Sequence, residues 1–513
     1  MEQENLFRPK ALSKTEKAEL KKFETIILIR INNPEDMKIA PLGLLYIGAS
    51  LKKVGYNVII KHFNSKDYIT EDDIFNICVS TPLFVGVSVG TGEQVKHSVN
   101  LCKRIKEFNS SIKIVWGGPH PTLMPEKCLK EDYIDFVVVG EGEETIVELA
   151  NSLSGYDGYK NCKDIDGLGY KNEGVIVNKK RKLMENLDVL EMDWSLIDLN
   201  NYLDNQWESK RILTYTTSRG CCFSCNFCYN QSAYKGRWRG HSAEHIISRV
   251  NKLKDEYNID GIRIHDDFFF ADYQRAEKIL RGINLPWRGE ATVKTIINNP
   301  EIYKLLEETN CREIFLGLES GNTRILNLMN KKQSLNEMKQ AVKLLSKGKG
   351  YHIDCSFIIG VPTETREEVY NTIDFMLDLL KITPVLRYTI GVYLPYPGTE
   401  FYRMSVESGF EEPLDLEGWE KMDRWRSEMK ITWLDWISDT DFFLRIRKYF
   451  NLLPLKDTSL PYLKNIPEKR LRNKDFSHTI ELAFLTYLQK KFANRQSGFR
   501  VFINKLLPYI KHD

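Results

Sequence analysis

The sequence has no apolar run that approaches the roughly 18 residues needed to span a bilayer, so we predict no transmembrane helix. It also lacks a secretory signal at its start. Residues Met1 to Asn5 are acidic and polar, whereas such a signal has a basic end followed by an apolar stretch. Both absences favour a cytoplasmic location.

A charge excess of one sign is missing as well, since 73 lysines and arginines oppose 70 aspartates and glutamates. Basic residues are concentrated only in residues 461–513, where 11 lysines and arginines face 4 acids. We interpret this stretch as a solvated basic helical surface, with peripheral contact to anionic lipid or phosphate as the alternative. No nucleic-acid partner is expected.

Ten cysteines in 513 residues are too few for a disulfide scaffold. Six of them stand singly and are interpreted mostly as small buried apolar residues. The other four fall within eight positions, Cys221-Cys222-Phe223-Ser224-Cys225-Asn226-Phe227-Cys228. This cluster is the most informative feature of the sequence.

Alternating strand and helix patterns begin after a polar N-terminal arm, residues 1–22. Short β-branched runs predict strands, and amphipathic stretches predict the helices between them. The predicted strands are 25–30, 58–60, 84–89, 112–116 and 136–139, and the helices are 42–54, 94–108 and 144–153. This order is typical of a doubly wound parallel sheet, which we place in residues 23–155.

Glycine-rich loops follow three of these strands, where parallel sheets bind their ligands. They are Gly86 to Gly92, Gly117 to Pro121 and Gly140 to Glu143. Glycine lets a ligand approach the backbone closely, and Ser88 and Thr91 add hydroxyl groups. Three such loops at one sheet edge favour a large ligand.

A second series follows a less regular stretch, residues 156–205, which we interpret as a linker with a short hairpin at 167–177. The series has six predicted strands, at 212–216, 261–264, 291–293, 313–316, 352–359 and 386–391. Six strand–helix units predict a partial (β/α)6 barrel of the TIM type in residues 206–400. Residues 401–513 then turn helical and aromatic, which predicts a C-terminal cap.

The spacing Cys221-x3-Cys225-x2-Cys228 lies directly after the first barrel strand. Three thiolates at this spacing can hold three irons of a [4Fe–4S] cluster and leave the fourth iron open. Zinc is the competing metal, but a structural zinc site has four protein ligands. Cys222 is a poor fourth ligand because its side chain diverges from that of its neighbour Cys221.

The cysteine motif, with the aromatic Phe227 before its last cysteine, resembles the signature of radical S-adenosylmethionine (SAM) enzymes. The N-terminal half resembles the cobalamin-binding domain of their B12-dependent branch, in a Rossmann-like fold. Further motifs occur in the expected order: Pro41 to Gly48, Trp116 to Thr122, Gly140 to Glu143, Asp266 to Phe268, Gly317 to Gly321, Gly360 to Glu364 and Pro395 to Thr399. The resemblance covers roughly residues 25–405.

This resemblance implies three cofactors: a [4Fe–4S] cluster on Cys221, Cys225 and Cys228, SAM on the open iron, and cobalamin. We expect SAM contacts from Phe227, Asp266, Asp267, Glu319 and Ser320. We expect cobalamin contacts from Ser88, Gly90, Thr91, Gly92, Gly117, Gly118, Gly140 and Glu141.

The resemblance leaves other roles open. Residues 32–41 contain no histidine, so this loop offers no imidazole ligand to cobalt. A domain that keeps the fold but has lost cobalamin is the alternative. His120 and His265 are candidate acid/base groups, although a lone histidine is more often structural.

The resemblance implies methyl transfer to an unactivated carbon or phosphorus, with SAM consumed both as methyl source and as radical source. An oxidative cyclase or rearrangement enzyme, as in anaerobic magnesium-protoporphyrin ester cyclases, is the first alternative. A cobalamin- or SAM-binding sensor with a structural cluster is the second. We expect a small-molecule or peptide substrate and an electron donor of the flavodoxin or ferredoxin type. Tryptophans of the cap, including Trp419, Trp425, Trp433 and Trp436, either line a substrate pocket or form the cap's own core, and the latter is favoured.

Overall fold

Two seven-stranded sheets organise the chain in this computed structural model. The structure describes residues 24–33, 36–67, 69–155, 160–383, 386–422, 431–437, 441–453 and 461–477. The predicted N-terminal arm, Trp425 and most of the basic C-terminal stretch lie outside these residues. No helix in the described ranges has the length and apolarity to cross a membrane.

The first sheet has the strand order β2-β1-β3-β4-β5-β6-β7, in which the first five strands are parallel. Its strands are β1 Thr25–Asn32, β2 Asn57–Asn64, β3 Phe84–Ser88, β4 Ile114–Gly117, β5 Phe136–Val138, β6 Leu168–Lys171 and β7 Val175–Val177. Its helices are α1 Leu42–Lys53, α2 Glu71–Val79, α3 Glu93–Phe108, α4 Pro119–Leu123, α5 Pro125–Leu129 and α6 Glu143–Leu153.

Strand β1 shows why this sheet is covered on both faces. Ile27, Ile29 and Ile31 belong to one apolar core, whereas Ile26 and Leu28 belong to another. A continuous apolar run is the pattern of a parallel strand with helices on both sides. The predicted doubly wound sheet is therefore confirmed, and the order in which its strands are added reverses between β1 and β3, where such sheets open a crevice.

The stretch predicted as a linker is more ordered than expected. Its hairpin, β6 and β7, continues the first sheet by pairing antiparallel with β5. Its end, β8 at Asp204–Gln206, pairs antiparallel with the first barrel strand. Residues 156–205 thus contribute to both sheets, because exposed edge strands gain hydrogen bonds by adding neighbours. Helix α2 was also missed, although Thr70 and Asp73 form a capping box at its start.

The second sheet has the order β16-β15-β14-β13-β12-β9-β8, with six parallel strands and β8 at the edge. The strands are β9 Ser209–Tyr215, β12 Gly261–Ile264, β13 Trp287–Ala291, β14 Cys311–Glu319, β15 His352–Ile359 and β16 Leu386–Val392. A separate short pair, β10 Ser218–Arg219 and β11 Arg239–Gly240, lies outside it. The six parallel strands confirm the partial barrel.

Helices separate these strands as the sequence predicts. They are α7 Asn230–Tyr234, α8 Ala243–Tyr257, α9 Tyr273–Ile283, α10 Val293–Asn298, α11 Ile302–Glu308, α12 Thr323–Leu328, α13 Leu335–Leu345 and α14 Arg366–Ile382. The third strand was placed wrongly: the prediction 291–293 covers the end of β13 and the start of α10. The Thr292 hydroxyl accepts a hydrogen bond from the Thr295 N–H and caps α10, so the chain leaves the strand there.

The region after the barrel contains α15 Glu400–Glu407, α16 Asp441–Leu452 and α17 Pro461–Arg472, as expected of a helical cap. Between α15 and α16, residues 410–422 form a strap that returns to the first sheet. Lys96 and Lys103 of α3 pair with Glu420 and Glu417 of the strap at 2.7 and 2.6 Å. Trp419 is fully buried and Trp433 is 2% exposed, so both are core residues and not pocket residues, although Trp419 packs against His120 of the first domain and not within the cap alone.

Candidate active site

The carboxyl ends of the two sheets open on one cavity of about 660 Å³. From the first sheet its lining is largely apolar and includes Ser88, Gly117, Gly118, Gly140, Glu141, Gly142 and Glu143. From the barrel it is lined mainly by Arg219, Cys221, Cys225, Phe227, Cys228, His265, Asp266, Asp267, Glu290, Glu319 and Lys331. Most residues predicted for two separate cofactor sites therefore face one shared space.

The cysteine loop, residues 221–228, connects β10 to the short helix α7. Cys221, Cys225 and Cys228 line the cavity, whereas Cys222 is exposed and does not. Three thiols facing one space match the donor set of a [4Fe–4S] cluster with an open iron. The exposed position of Cys222 agrees with the expectation that it is not a ligand.

Neighbouring segments hold the cysteine loop through its non-cysteine residues. The Asn226 amide donates to Leu328 O at 2.8 Å, and its backbone N–H donates to Met329 O at 3.0 Å. Asn330 donates to the backbone oxygen of Ser224 at 2.8 Å. The loop is thus shaped by the turn after α12, about 100 residues away in sequence, before any metal binds.

Burial opposes ionisation of the cysteine thiols. It raises the pKa of Cys221 to about 11 and that of Cys228 to about 12. Burial also raises the pKa of Cys225, with the Lys331 ammonium acting in the opposite direction. Without metal the thiols are protonated at neutral pH, so cluster assembly releases protons and stabilises the loop.

Asp266 and Asp267 follow the end of β12 and hydrogen-bond to the segment that precedes this loop. The Asp266 carboxylate accepts hydrogen bonds from the Thr217 N–H, the Thr217 hydroxyl and the Ser218 hydroxyl, each at 2.6 Å. Asp267 accepts from the Gly220 N–H at 3.1 Å. Both carboxylates border the cavity, but their hydrogen bonds position the backbone that leads into the cysteine loop.

Glu319 and Ser320, the two SAM contacts predicted at the end of β14, differ in whether they line the cavity. Glu319 lines the cavity and pairs with Lys331 at 2.8 Å, close to Cys225. Ser320 does not line the cavity, which corrects the predicted SAM contact. It is fully buried, and its hydroxyl lies 3.1 Å from that of Thr372 and accepts from the Asn322 N–H. Its role is to hold the chain turn against α14.

The loop after β3 also requires a correction. Ser88 lines the cavity, but Gly90, Thr91 and Gly92 do not. The Gly90 N–H donates to the Gln94 side chain, and the Thr91 hydroxyl lies 3.2 Å from His120 Nδ1. A Cβ on Gly92 would lie 2.8 Å from Met422 O of the strap. Glycine is therefore needed here for packing against the strap.

The other glycines at this edge fit a large flat ligand. A Cβ on Gly140 would meet no atom within 4 Å, and one on Gly117 would meet only Val138, at 3.9 Å. Open space above glycine backbone is what close approach of a macrocycle requires. The first sheet's half of the cavity offers no imidazole ligand to cobalt, because among its described residues no histidine lines the cavity.

His120 shows why. It is fully buried, and its ring packs edge-on against Trp419 with centroids 5.3 Å apart. Burial lowers its pKa to about 4, which keeps it neutral. His120 is therefore a core residue beside the strap and not an acid/base group of the cavity. His265 does line the cavity and keeps that candidate role.

Two arginines join the domains, and sequence reasoning missed both. Arg219 pairs with Glu143 at 2.6 Å, and its guanidinium lies 4.7 Å from the ring centroid of Tyr46 on α1. Arg239 pairs with Glu141 at 2.7 Å. Glu141 is thus engaged in an ion pair at the domain boundary. The available signals were Arg219 two residues before Cys221 and the two glutamates, Glu141 and Glu143, of the last glycine loop.

Glu290 was also missed, because β13 was placed too late in the sequence. It lies near the end of this strand and lines the cavity beside Asp267 and Glu319. Burial raises the pKa of Glu290 to about 7. The group therefore changes protonation state near neutral pH, as acid/base groups of active sites do.

Comparison with known families gives matches to both halves of the chain. Residues 36–150 match the family model described as "B12 binding domain". Residues 215–376 match the model described as "Radical SAM superfamily". The first range ends within α6, the helix that follows the last glycine-rich loop. The second range includes the cysteine loop.

Several characterised or named proteins are similar in sequence. An uncharacterized methyltransferase of Pyrococcus horikoshii is 35% identical over 71% of this chain and 78% of its own length. The cytidylyl-2-hydroxyethylphosphonate methyltransferase of Streptomyces wedmorensis is 25% identical over 73% and 79%. The anaerobic magnesium-protoporphyrin IX monomethyl ester cyclase of Rubrivivax gelatinosus is 27% identical over 71% and 66%.

Solved structures share the arrangement of the two sheets. The radical SAM methyltransferase TsrM from Kitasatospora setae, with cobalamin and a [4Fe–4S] cluster bound, has a TM-score of 0.61 and 16% identity, over 88% of this chain and 99% of its own. The cobalamin-dependent enzyme OxsB with aqua-cobalamin bound has a TM-score of 0.65 and 17% identity, over 96% and 76%. At these identities the likeness shows a common fold.

Proposed function

Because the chain belongs to the radical SAM superfamily and carries a B12-binding domain ahead of its barrel, we propose that it is a cobalamin-dependent methyltransferase. Its acceptor is an unactivated carbon or phosphorus centre of a small molecule or peptide. The observation that carries this proposal is the single cavity onto which both the cysteine loop and the glycine-lined sheet edge open. Two cofactors held there would face one substrate.

The residues divide the work of binding. Cys221, Cys225 and Cys228 would hold the cluster, and the glycine edge at Gly117 and Gly140 would hold the corrin ring. When bound, the cluster and SAM supply a radical and a methyl group, and cobalamin supplies a methyl carrier that reacts with radicals. The protein's own contribution is to position these groups and to exclude water.

Residues of the cavity wall support that positioning. Arg219 and Arg239 bind the glutamates of the last glycine loop and so fix the first sheet against the barrel. Asp266 and Asp267 hold the backbone that leads into the cysteine loop. Phe227 and Glu319 border the same cavity and remain the proposed SAM contacts. Glu290 is placed to exchange a proton with bound substrate.

Two relatives support methyl transfer through their names, whereas the cyclase relative supports an oxidative reaction without it. The two reactions differ in their by-products. We expect anaerobically reconstituted protein, given SAM and a strong reductant, to form both 5′-deoxyadenosine and S-adenosylhomocysteine. 5′-Deoxyadenosine without S-adenosylhomocysteine would favour the cyclase, and absence of both would favour the sensor.

The partners follow from the same chemistry. Cluster reduction requires a one-electron donor, for which we propose a protein of the flavodoxin or ferredoxin class. The cytoplasmic location stays a prediction. In the described part of the basic stretch, Arg472 pairs with Glu468 and Arg470 with Asp475, which favours the solvated surface over lipid contact.

A further inference from the structure

A second cluster of ligating side chains lies outside the cavity. It consists of Asp188, His241 and His245, each of which places one ligand atom within 4.8 Å of the other two. Asp188 belongs to the turn at 187–189 in the connection between the sheets, and the histidines flank the start of α8. The cluster therefore joins two segments that are about 50 residues apart in sequence.

The spacing of the three groups suits a single small cation. Asp188 Oδ1 lies 3.3 Å from His241 Nδ1 and 3.9 Å from His245 Nδ1. Ligand atoms that bind Zn²⁺ at about 2.0–2.1 Å in tetrahedral geometry are themselves about 3.3 Å apart. The His241–Asp188 pair already has this separation. His245 Nδ1 lies about 0.6 Å farther from Asp188 than this, and its ring, which is stacked on that of His241 with centroids 4.9 Å apart, must rotate to point at the same ion.

His241 provides an independent indication. Its side chain is 3% exposed, and its Nδ1 is buried without a hydrogen-bond partner in the described structure. Its other nitrogen, Nε2, lies 3.2 Å from the Tyr46 hydroxyl. A histidine that binds metal through one nitrogen usually has the other held by a hydrogen bond.

The donor set selects the metal. Two imidazole nitrogens and one carboxylate are ligands for Zn²⁺, whereas Ca²⁺ and Mg²⁺ take oxygen ligands. Arg219 and Arg275 lie close enough to oppose a cation, but Arg219 is neutralised by Glu143.

We propose that Asp188, His241 and His245 bind one Zn²⁺ that ties the connecting segment to the start of α8. Leu187 and Leu190 on either side of Asp188 form a small apolar cluster with Tyr46. Tyr46 in turn lines the main cavity and lies under Arg219. Zinc at this position therefore supports Tyr46 in the wall of the main cavity, and it takes no part in the cysteine loop.

Metal analysis of the cluster-reconstituted full-length protein tests the proposal. After equilibration with micromolar Zn²⁺ and gel filtration, we expect about one zinc per chain in addition to the cluster iron. X-ray absorption at the zinc edge should show nitrogen and oxygen neighbours at about 2.0–2.1 Å and no sulfur at about 2.3 Å. Absence of bound zinc, or a sulfur neighbour, would overturn the assignment.

Substitutions at the proposed ligands test whether zinc binds at this site. His245→Gln should lower zinc affinity at least about 100-fold, and Tyr46→Phe should lower it about 10–100-fold by releasing His241 Nε2. Asp188→Asn keeps an acceptor for the Ser242 N–H, which lies 2.9 Å away, so it tests the ligand role if the histidine variant fails to fold. His97→Gln, on the surface of α3, is the matched control and should retain zinc. Equal zinc in His245→Gln, Asp188→Asn and the control would overturn the proposal.

Discussion

The cysteine loop and the glycine edge border the same cavity but build their halves of it in opposite ways. The loop presents three reactive atoms from a segment of eight residues and is held by hydrogen bonds that the Asn226 and Asn330 amides donate to backbone oxygens. The edge presents bare backbone at Gly117 and Gly140, with open space where side chains would be.

This difference determines how each half responds to change. The cysteine loop should lose its cluster when one thiol is removed, whereas a larger side chain nearby should have less effect. The glycine edge has no ligating side chain to lose, but a larger side chain there should block binding of the ligand. The two halves are therefore expected to fail independently, which makes them separable by mutation.

The largest effect is expected at the cysteine loop. Cys225→Ala removes an iron ligand that no neighbour can replace, and SAM cleavage should fall to background. Cys222→Ala is the matched control, because Cys222 is exposed and faces away from the cavity. Iron content and 5′-deoxyadenosine formation measure both. Equal iron loss in the two variants would contradict the assignment of ligands.

The next effect is expected at the glycine edge. Gly117→Leu projects a side chain into the cavity and should abolish cobalamin binding, measured by absorbance after reconstitution, while iron content stays near wild type. Gly117→Ala is the control, because its Cβ meets no atom closer than 3.9 Å. Gly118 is less suitable, since its φ of +96° strains any side chain. Retained cobalamin in the leucine variant would place the ligand elsewhere.

Substitutions at the ion pairs between the two halves should lower the free energy of unfolding. Arg219→Met leaves the Glu143 carboxylate buried without its partner, and breaking a buried pair costs about 3–5 kcal/mol. Arg237→Met is the control: its pair with Glu185 is largely exposed, so the loss should be about 0–1 kcal/mol. Denaturant unfolding measures both. Similar losses would mean that Arg219 does not join the domains.

The smallest effect concerns Glu290 and depends on pH. Its pKa of about 7 in the folded protein exceeds its ordinary value of 4.5, so the folded state binds the proton more tightly. Stability from this group is present at low pH and is lost as pH rises to about 7. Glu290→Gln should therefore stabilise the protein by at most about 3 kcal/mol at pH 8 and by less at pH 6. Glu308→Gln, on the surface, is the control, and its free energy of unfolding should change by no more than about 0.5 kcal/mol.

Sequence reasoning succeeded where a local pattern is sufficient. Alternating apolar runs predicted both sheets, and the cysteine spacing singled out the three cysteines that the structure brings to one cavity. It failed where contacts with segments distant in sequence determine the role of a residue. Ser320 and Thr91 carry hydroxyls at the predicted strand ends, yet their hydrogen bonds go to Thr372 and His120. Gly92 is a glycine because of the strap that packs on it.

The chain itself determined the order of its elements, the cysteine motif and the absence of a histidine after β1, because each depends on residues close in sequence. Only the tertiary structure decided that the two sheet edges share one cavity and that Arg219 and Arg239 join them. It also brought Asp188 within reach of His241 and His245. These contacts arise from packing between segments that are tens to hundreds of residues apart, and no local pattern records which of them will meet.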